Sequence, residues 1–305
     1  MDGRGSANEA PSASTSAVSV ASTVTKICNI LICTDSRGSG LDVLLRNERI
    51  IKSVGRYQAK ARIEVKVLRG AKLERLINEA NSHPLASTFD CSIIIGGICN
   101  LTEKHTEDNH NFLTYTNREK VQDISALVDN HIDKKLVIAT ITPASLEKYY
   151  IHKNGKKPYQ ENLIADQQKN LVEDCTTINN HIRSVNTNKN LPTLALAGLC
   201  FASTKKRIPK TNRFRILYKF NDQHLYDGVH LDRELKHRWS VSIIRFITQI
   251  ATKLICEDSA TDSQSDDPPS SGEPQPPKTE SSQSEEDCFS GEESYNFKRR
   301  RTVTL

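Results

Sequence analysis

Two distant segments of the chain carry side chains that together could perform nucleophilic hydrolysis. Ser36 lies in a short turn, residues 34–38, that follows an apolar run and precedes a leucine-rich segment. Asp227 and His230 lie close together near the other end of the predicted folded region. A hydroxyl nucleophile, an imidazole base and a carboxylate that orients the base are the groups that ester hydrolysis by a serine mechanism requires. The residue types therefore predict one hydrolytic site built from both segments.

Each segment also has a simpler interpretation. Asp35 or Ser36 could cap the helix that follows, because short polar side chains accept hydrogen bonds from the free N–H groups of a first turn. The pattern D-x-x-H arises often by chance, and a surface histidine would explain His230 about as well. The position of His230 after the last predicted strand, and just before a helix that Asp232 can cap, favours a site.

The sequence between the two segments alternates short apolar runs of β type with longer segments of helical period. This alternation is typical of a parallel sheet covered by helices, and it predicts a three-layer α/β/α domain of flavodoxin-like type with a five-stranded parallel sheet. The predicted strands are residues 27–33, 63–68, 91–95, 136–141 and 193–197. Right-handed crossovers would bring the carboxyl ends of these strands to one edge of the sheet. Ser36, Gly70 and residues 97–100 are expected at that edge, where ligands bind in such folds.

Composition predicts one globular domain between two polar ends. The chain has 305 residues, of which 36% are hydrophobic, enough for one core of moderate size. Residues 1–26, rich in Ser, Ala and Thr, are expected to be disordered, and residues 27–256 to form the domain. Residues 257–305 are expected to form a disordered acidic tail, because residues 257–297 hold twelve acidic side chains against one basic and few large apolar ones. The tail ends in a basic cluster, Lys298, Arg299, Arg300 and Arg301.

The sequence predicts an intracellular protein without a metal or organic cofactor. No apolar run resembles a signal peptide or approaches the roughly 20 residues that cross a bilayer, so no membrane partner is expected. The terminal basic cluster resembles a short nuclear import signal, which leaves cytoplasm and nucleus both open. The eight cysteines show no zinc-binding spacing and are expected to be reduced thiols, with Cys28, Cys33 and Cys91 packed as small hydrophobes. The oligomeric state is not predicted.

Residues 27–254 contain four segments that, in this order, resemble the sequence blocks of the SGNH, or GDSL-type, hydrolase family. Residues 34–36, Thr-Asp-Ser, stand where that family has Gly-Asp-Ser. The resemblance implies that Ser36 is the nucleophile and that its backbone N–H donates to the oxyanion. Gly70 resembles the glycine of the second block, whose backbone N–H is another oxyanion donor.

The last block matches well, whereas the third departs from the family pattern. Asp227 and His230 match the last block, which implies that His230 is the general base and Asp227 its orienting partner. The family's Gly-x-Asn-Asp lies over residues 97–100, which places Cys99 where the oxyanion-binding asparagine belongs. The neighbouring Asn100 is a candidate to replace that asparagine in the oxyanion hole.

The resemblance implies a serine esterase that acts on an acyl or acetyl ester of a small molecule or carbohydrate. Thr34 and Cys99 depart from the family pattern, so a degraded or catalytically inactive module of the same fold is the alternative. Such a module would bind nucleic acid or protein through its basic loops, residues 152–157 and 205–215. The same loops could instead attract an anionic substrate or be ordinary solvated charge.

Overall fold

The structure is a computed structural model, and it describes residues 24–45, 48–54, 57–107, 109–155, 157, 160–209 and 214–262. Its strands are β1 (Val24–Thr34), β2 (Glu48–Val54), β3 (Tyr57–Val67), β4 (Cys91–Ile95), β5 (Thr102–Glu107), β6 (His110–Tyr115), β7 (Leu136–Ile138), β8 (Phe201–Arg207) and β9 (Phe214–Phe220). Its helices are α1 (Leu41–Leu45), α2 (Leu73–Ser82), α3 (Ile98–Leu101), α4 (Glu119–His131), α5 (Leu146–Asn154), α6 (Glu161–Asn188) and α7 (Arg233–Asp262). Most of the predicted N-terminal segment, most of the predicted tail and the terminal basic cluster lie outside the described residues.

The main sheet has the strand order β2-β3-β1-β4-β7. Strand β1 pairs in parallel with β3 and β4, and β4 pairs in parallel with β7. Strand β2 adds an antiparallel edge next to β3. The predicted α/β fold with a parallel sheet is therefore confirmed, with four parallel strands in place of five.

Helices cover both faces of this sheet and divide the core into two layers. Leu31 and Cys33 of β1 face one layer, which is completed by buried residues of α2, α4 and α6. Ile30 and Ile32 face the other layer, where α1 and α7 pack and Trp239 is buried. Because β1 is buried on both faces, its sequence is an almost continuous apolar run and lacks the alternation of a half-exposed strand.

The predicted fifth strand, residues 193–197, is wrong. The segment runs beside the end of β7, but a single backbone hydrogen bond joins the two within the described residues, from the N–H of Thr140 to the carbonyl oxygen of Leu194 at 3.0 Å. The chain then turns into a 3-10 helix, Leu196–Cys200, whose Ala197 N–H donates to the Thr140 hydroxyl at 2.9 Å. The preceding Pro192 has no N–H to donate, so a regular ladder does not form.

Strand β7 also ends earlier than the sequence predicts. The backbone N–H and C=O of Ile141 bond to the side chain of Asn179 on α6, at 2.6 and 2.9 Å. This buried amide satisfies both backbone groups of Ile141 where a neighbouring strand would otherwise pair with them. The chain is therefore released from the sheet just before residues 142–145, which pack against the candidate site.

Two antiparallel hairpins, β5–β6 and β8–β9, lie outside the main sheet and are not predicted by the sequence. Hairpin β5–β6 directly follows α3, and so it follows residues 97–100, which the sequence analysis compares with the third block. Within the described part of the chain, no helix has the length and apolar character needed to span a membrane.

Candidate active site

The corner after β1 exposes Ser36 while a neighbouring residue does the capping. The backbone N–H of Asp35 donates to the carbonyl of Ile95 at the end of β4, at 3.2 Å, and this bond fixes where the chain leaves the sheet. The Asp35 carboxylate caps the following 3-10 turn by accepting from the N–H of Arg37 at 2.9 Å. Of the two sequence interpretations, capping therefore belongs to Asp35, and the hydroxyl of Ser36 is left for another partner.

Gly38 makes room for the threonine at the position where the family has glycine. Thr34 is fully buried, and a Cβ added to Gly38 would clash with both branches of the Thr34 side chain. The corner therefore accommodates a side chain at position 34 because position 38 has none. The departure at Thr34 leaves the turn that carries Ser36 intact.

The loop of residues 227–230 holds its histidine through the carboxylate of Asp227. Oxygen Oδ1 of Asp227 accepts from the backbone N–H groups of Val229, at 3.0 Å, and His230, at 2.7 Å. Oxygen Oδ2 lies 2.7 Å from Nδ1 of the His230 ring. Burial alone would raise the pKa of Asp227, but these hydrogen bonds outweigh it and hold the pKa below its ordinary value. Asp227 is therefore a carboxylate at neutral pH.

A second set of contacts anchors the same loop to the start of α5. The carbonyl of Gly228 accepts from the backbone N–H of Ser145 at 2.7 Å. Gly228 has a φ of +84°, and a Cβ there would clash with the Ser145 carbonyl and the backbone of Tyr149. Only glycine meets both requirements, the left-handed backbone and the close approach of a neighbouring backbone.

The two distant segments meet at hydrogen-bond distance. Nitrogen Nε2 of His230 lies 3.1 Å from Oγ of Ser36, although 194 positions separate the two residues in the chain. When Nδ1–H donates to Asp227, Nε2 carries the lone pair and can accept the proton of the Ser36 hydroxyl. The three side chains that the sequence singles out thus form one continuous hydrogen-bonded chain in the order hydroxyl, imidazole, carboxylate.

Two backbone N–H groups are available beside Ser36 for a developing oxyanion. Gly70, in the turn after β3, has a φ of +67° and lines the same cleft as Ser36. Within the described residues, no hydrogen bond uses the backbone N–H of Ser36 or that of Gly70. The left-handed backbone at position 70 explains why a glycine stands there.

Asn100, in contrast, is committed to a structural role. Its Oδ1 accepts from the backbone N–H of Leu73 at 2.8 Å, and its Nδ2 donates to both carboxylate oxygens of Glu74, at 3.1 and 2.9 Å. The side chain is 5% exposed and joins α3 to the first turn of α2. Both ends of the amide are therefore occupied before any substrate arrives.

Cys99 lines the wall of the same cleft as Ser36. Its thiol is partly buried, and the pKa of the thiol is raised, first by burial and then by the charge of nearby Asp35. A thiol with a raised pKa is protonated at neutral pH and is a weak donor. Cys99 is thus neither a nucleophile nor an equivalent of the asparagine amide.

The three groups open into a cleft of about 680 Å³ with a basic rim. Its wall includes Ser39 and the aromatic side chains of Tyr149 and Tyr226. The rim carries four cations, from the turn after β3, from β5 and from α7, against one carboxylate, Glu103; the cations are Arg69, Lys72, Lys104 and Lys236. No ion pair within the described residues involves any of the four.

Sequence reasoning missed this basic rim and pointed instead to residues 152–157 and 205–215. None of the described residues of those two stretches lines the cleft. The four rim cations are isolated in the sequence and come together only through the fold. A signal was nevertheless available, since Arg69 and Lys72 flank the predicted oxyanion glycine.

The buried cysteines and the acidic and histidine side chains of the described residues give no second site. Cys28, Cys33 and Cys91 are buried in the core as expected, and burial raises the pKa of each thiol to about 12. Among the described residues, no three His, Cys, Asp or Glu side chains are grouped so that they could hold a metal ion.

Solved structures of the same general architecture match this chain at low sequence identity. A lipase/acylhydrolase from Enterococcus faecalis is 15% identical over 73% of this chain and 96% of its own, with a TM-score of 0.40. A GDSL-like lipase from Bacteroides thetaiotaomicron is 12% identical over 74% of this chain and 88% of its own, with a TM-score of 0.42. An acetyl xylan esterase is 14% identical over 71% of this chain and 98% of its own, with a TM-score of 0.38.

No protein-family model matches the chain, and no curated protein is significantly similar to it. With TM-scores below 0.5, the likeness to the solved structures carries no argument about activity. A proposal about function therefore depends on the geometry around Ser36.

Proposed function

We propose that this protein is a serine ester hydrolase whose nucleophile is Ser36, whose general base is His230 and whose orienting carboxylate is Asp227. The observation that carries the proposal is the continuous chain of contacts, 3.1 Å from Ser36 Oγ to His230 Nε2 and 2.7 Å from His230 Nδ1 to Asp227 Oδ2. Both distances lie in the range that proton transfer between such groups requires.

The proposed reaction proceeds through an acyl-enzyme. Oγ of Ser36 attacks the ester carbonyl carbon while Nε2 of His230 takes the hydroxyl proton. The resulting oxyanion receives hydrogen bonds from the backbone N–H groups of Ser36 and Gly70. His230 then returns the proton to the leaving alcohol oxygen, which breaks the ester C–O bond and leaves acyl-Ser36. A water molecule attacks the acyl carbon while His230 takes one of its protons. His230 then gives this proton to Oγ of Ser36 as the bond between the acyl carbon and Oγ breaks, which releases the acid and restores the serine.

The proposed oxyanion hole has two backbone donors, and no side-chain amide lines the cleft among the described residues. Asn100 is held by Leu73 and Glu74, and Cys99 supplies only a weak thiol donor. Removal of one oxyanion donor typically costs on the order of 10² to 10³ in turnover. We therefore expect a slower enzyme than one with three donors, rather than an inactive one.

The basic rim favours esters that carry a negative charge on the acyl or alcohol part. Four unpaired cations against one carboxylate create a positive potential at the mouth of the cleft, and potentials of this kind raise the local concentration of an anionic substrate. Lys72→Gln with Lys104→Gln should lower kcat/KM for a carboxylate-bearing aryl ester by roughly tenfold in low salt and leave a neutral aryl acetate nearly unchanged. Equal effects on both esters would contradict this preference.

Turnover of a short-chain aryl ester by three versions of the full chain tests the proposed function. Ser36→Ala should abolish it, because loss of a serine nucleophile costs on the order of 10⁶ in kcat. Ser39→Ala is the matched control, since Ser39 lines the same cleft three residues away and should leave turnover within a few-fold. Activity that survives in Ser36→Ala, or falls equally in Ser39→Ala, would show that the nucleophile is misassigned.

A second candidate function is a non-catalytic module that uses the same fold for binding. The observation that favours it is the third block, where the amide side chain of Asn100 is engaged elsewhere. This alternative predicts that the unmodified protein has no turnover above background and that Ser36→Ala changes nothing. The same three-version experiment therefore separates the two functions.

A further inference from the structure

Hairpin β8–β9 projects from the domain and is exposed on both of its faces. Its strands pair from Phe201–Phe220 at the base to Arg207–Phe214 toward the tip. At the base, the rings of Phe201 and Phe220 meet edge to face, and Phe220 packs against the core. Beyond Phe201, every residue of β8 is exposed, so most of the ribbon contributes little to the core.

The charge on this hairpin has one sign. Its two strands contain five cations and no carboxylate; the cations are Lys205, Lys206, Arg207, Arg215 and Lys219. The register places Lys206 directly opposite Arg215. Like charges directly across a pair of strands destabilise it, and a bound polyanion would relieve that repulsion.

Large apolar side chains stand among these cations on one face. Phe214, Ile216 and Tyr218 are 63%, 49% and 48% exposed. They alternate along β9 and so point to the same side of the ribbon. Their partners across the ladder, Arg207 opposite Phe214 and Lys205 opposite Ile216, share that side. The face therefore interleaves cations with exposed rings.

We propose that hairpin β8–β9 is a binding surface for single-stranded nucleic acid. Lys205 and Arg207 contact backbone phosphates, and the ring of Phe214, together with Tyr218, stacks on unpaired bases. A basic surface that tracks the backbone, combined with aromatic side chains on which bases stack, is how single strands are bound without sequence readout. The described residues of the hairpin do not line the Ser36 cleft, so this binding is separate from hydrolysis.

A membrane surface is the other polyanion that a basic and apolar element could meet. Elements that lie in a membrane interface segregate their apolar side chains from a strongly charged face. On this hairpin Phe214 and Arg207 are direct neighbours on one face, and the opposite face carries Lys206 and Arg215. Because charge is present on both faces and mixed with the rings, single-stranded nucleic acid fits better than a lipid surface.

The test measures binding of a fluorescein-labelled oligo(U) of about 20 nucleotides, longer than most single-strand sites, to the full chain by fluorescence anisotropy. Affinity should fall steeply between about 50 and 200 mM salt. Lys205→Ala with Lys206→Ala should make the slope of log K against log salt shallower by about 0.7, because only Lys205 of the two lies on the face that contacts phosphates. Phe214→Ala should weaken binding roughly tenfold with an unchanged slope, as expected for loss of a stacking partner.

The matched control replaces another exposed pair of neighbouring lysines, Lys134 and Lys135, with alanine. This double variant has the same net charge as Lys205→Ala with Lys206→Ala, and it should bind oligo(U) like the parent. Equal losses in both double variants would overturn the proposal, because net charge alone would then explain binding. Unchanged oligo(U) binding by Phe214→Ala, with reduced flotation on phosphatidylserine vesicles, would overturn it in favour of a membrane surface. Ester turnover by the hairpin variants should match the parent, which shows that they fold.

Discussion

The loop of residues 227–230 and the corner of residues 97–101 border the same cleft, yet the loop is hydrogen-bonded to Ser36 and the side chain of Asn100 in the corner is not. In the loop, each polar group of Asp227 and His230 that bears on Ser36 has a partner, and Gly228 packs directly on the start of α5. In the corner, the amide of Asn100 turns away to Leu73 and Glu74, and Cys99 is left on the cleft wall. The loop has the geometry that the proposed proton transfer needs, and the corner packs α3 against α2.

The difference follows from how many residues each task needs. Orienting His230 takes only one loop whose carboxylate is three residues from its imidazole, so the arrangement is local and tolerates change elsewhere. A side-chain oxyanion donor must instead be free of other partners, and Glu74 on α2 takes up the amide of Asn100. The oxyanion can still be bound by backbone N–H groups, which the fold supplies whatever the side chains.

Of the substitutions that compare the loop with the corner, the one at Asp227 of the loop should have the largest effect on kcat. Asp227→Asn should lower kcat by about 10⁴, because an amide at this position favours the wrong histidine tautomer. Asp222→Asn is the control. Asp222 lies five residues before Asp227, accepts a hydrogen bond from the Ser145 hydroxyl and has no hydrogen bond to His230. Comparable losses of kcat in both variants would mean that the segment acts through its folding alone.

In the corner of residues 97–101, a substitution should raise kcat. Cys99→Asn places an amide on the cleft wall, and we expect kcat to rise about tenfold with little change in KM, because the new donor acts on the oxyanion. Asn100→Ala should reduce the free energy of unfolding and leave kcat near the parent value. A large loss of kcat in Asn100→Ala, without loss of stability, would return Asn100 to the oxyanion hole.

The anchor of the loop should be visible in stability. Gly228→Ala introduces a methyl group that clashes with the backbone of Ser145 and Tyr149 at a φ of +84°. We expect the free energy of unfolding to fall by about 2 to 3 kcal/mol, measured by urea denaturation. Gly40→Ala is the control, because Gly40 also has a positive φ, +87°, but no atom lies within 4 Å of the added methyl group. A Gly228→Ala loss no larger than the control would show that the close packing contributes nothing.

The smallest effect concerns Asp35, on the corner that carries Ser36. Burial raises the pKa of Asp35, against the opposing charge of Arg37 and the N–H that Arg37 donates. The folded protein therefore holds this proton to higher pH than the unfolded chain, and stability falls as the pH rises above about 3.9, the ordinary value. Asp35→Asn should show a shallower fall of unfolding free energy with pH. An unchanged pH dependence would show that the buried carboxyl of Asp35 does not cause the fall of unfolding free energy.

The parts of the fold that the sequence predicts are those with strong local signals. The apolar runs at residues 27–33 and 91–95 form strands β1 and β4 as expected, and most of their side chains are buried.

What the sequence does not predict depends on contacts between distant residues. The segment 193–197 has the composition of a strand, but Thr140 and Pro192 divert it into a 3-10 turn. The role of Asn100 depends on Glu74, whose position on α2 is known only from the fold. The basic rim of the cleft likewise comes from three separate elements. In each case a tertiary partner decides between alternatives that the local sequence leaves open.

Covalent labelling shows whether Ser36 is an activated nucleophile. The full chain is treated with a fluorophosphonate, and the modified residue is identified by mass spectrometry of its peptides. We expect a single phosphonate on Ser36, lost in Ser36→Ala, retained in Ser39→Ala and formed far more slowly in Asp227→Asn. A chain that stays unlabelled, or one labelled on Ser39 in place of Ser36, would show that Ser36 is not the nucleophile.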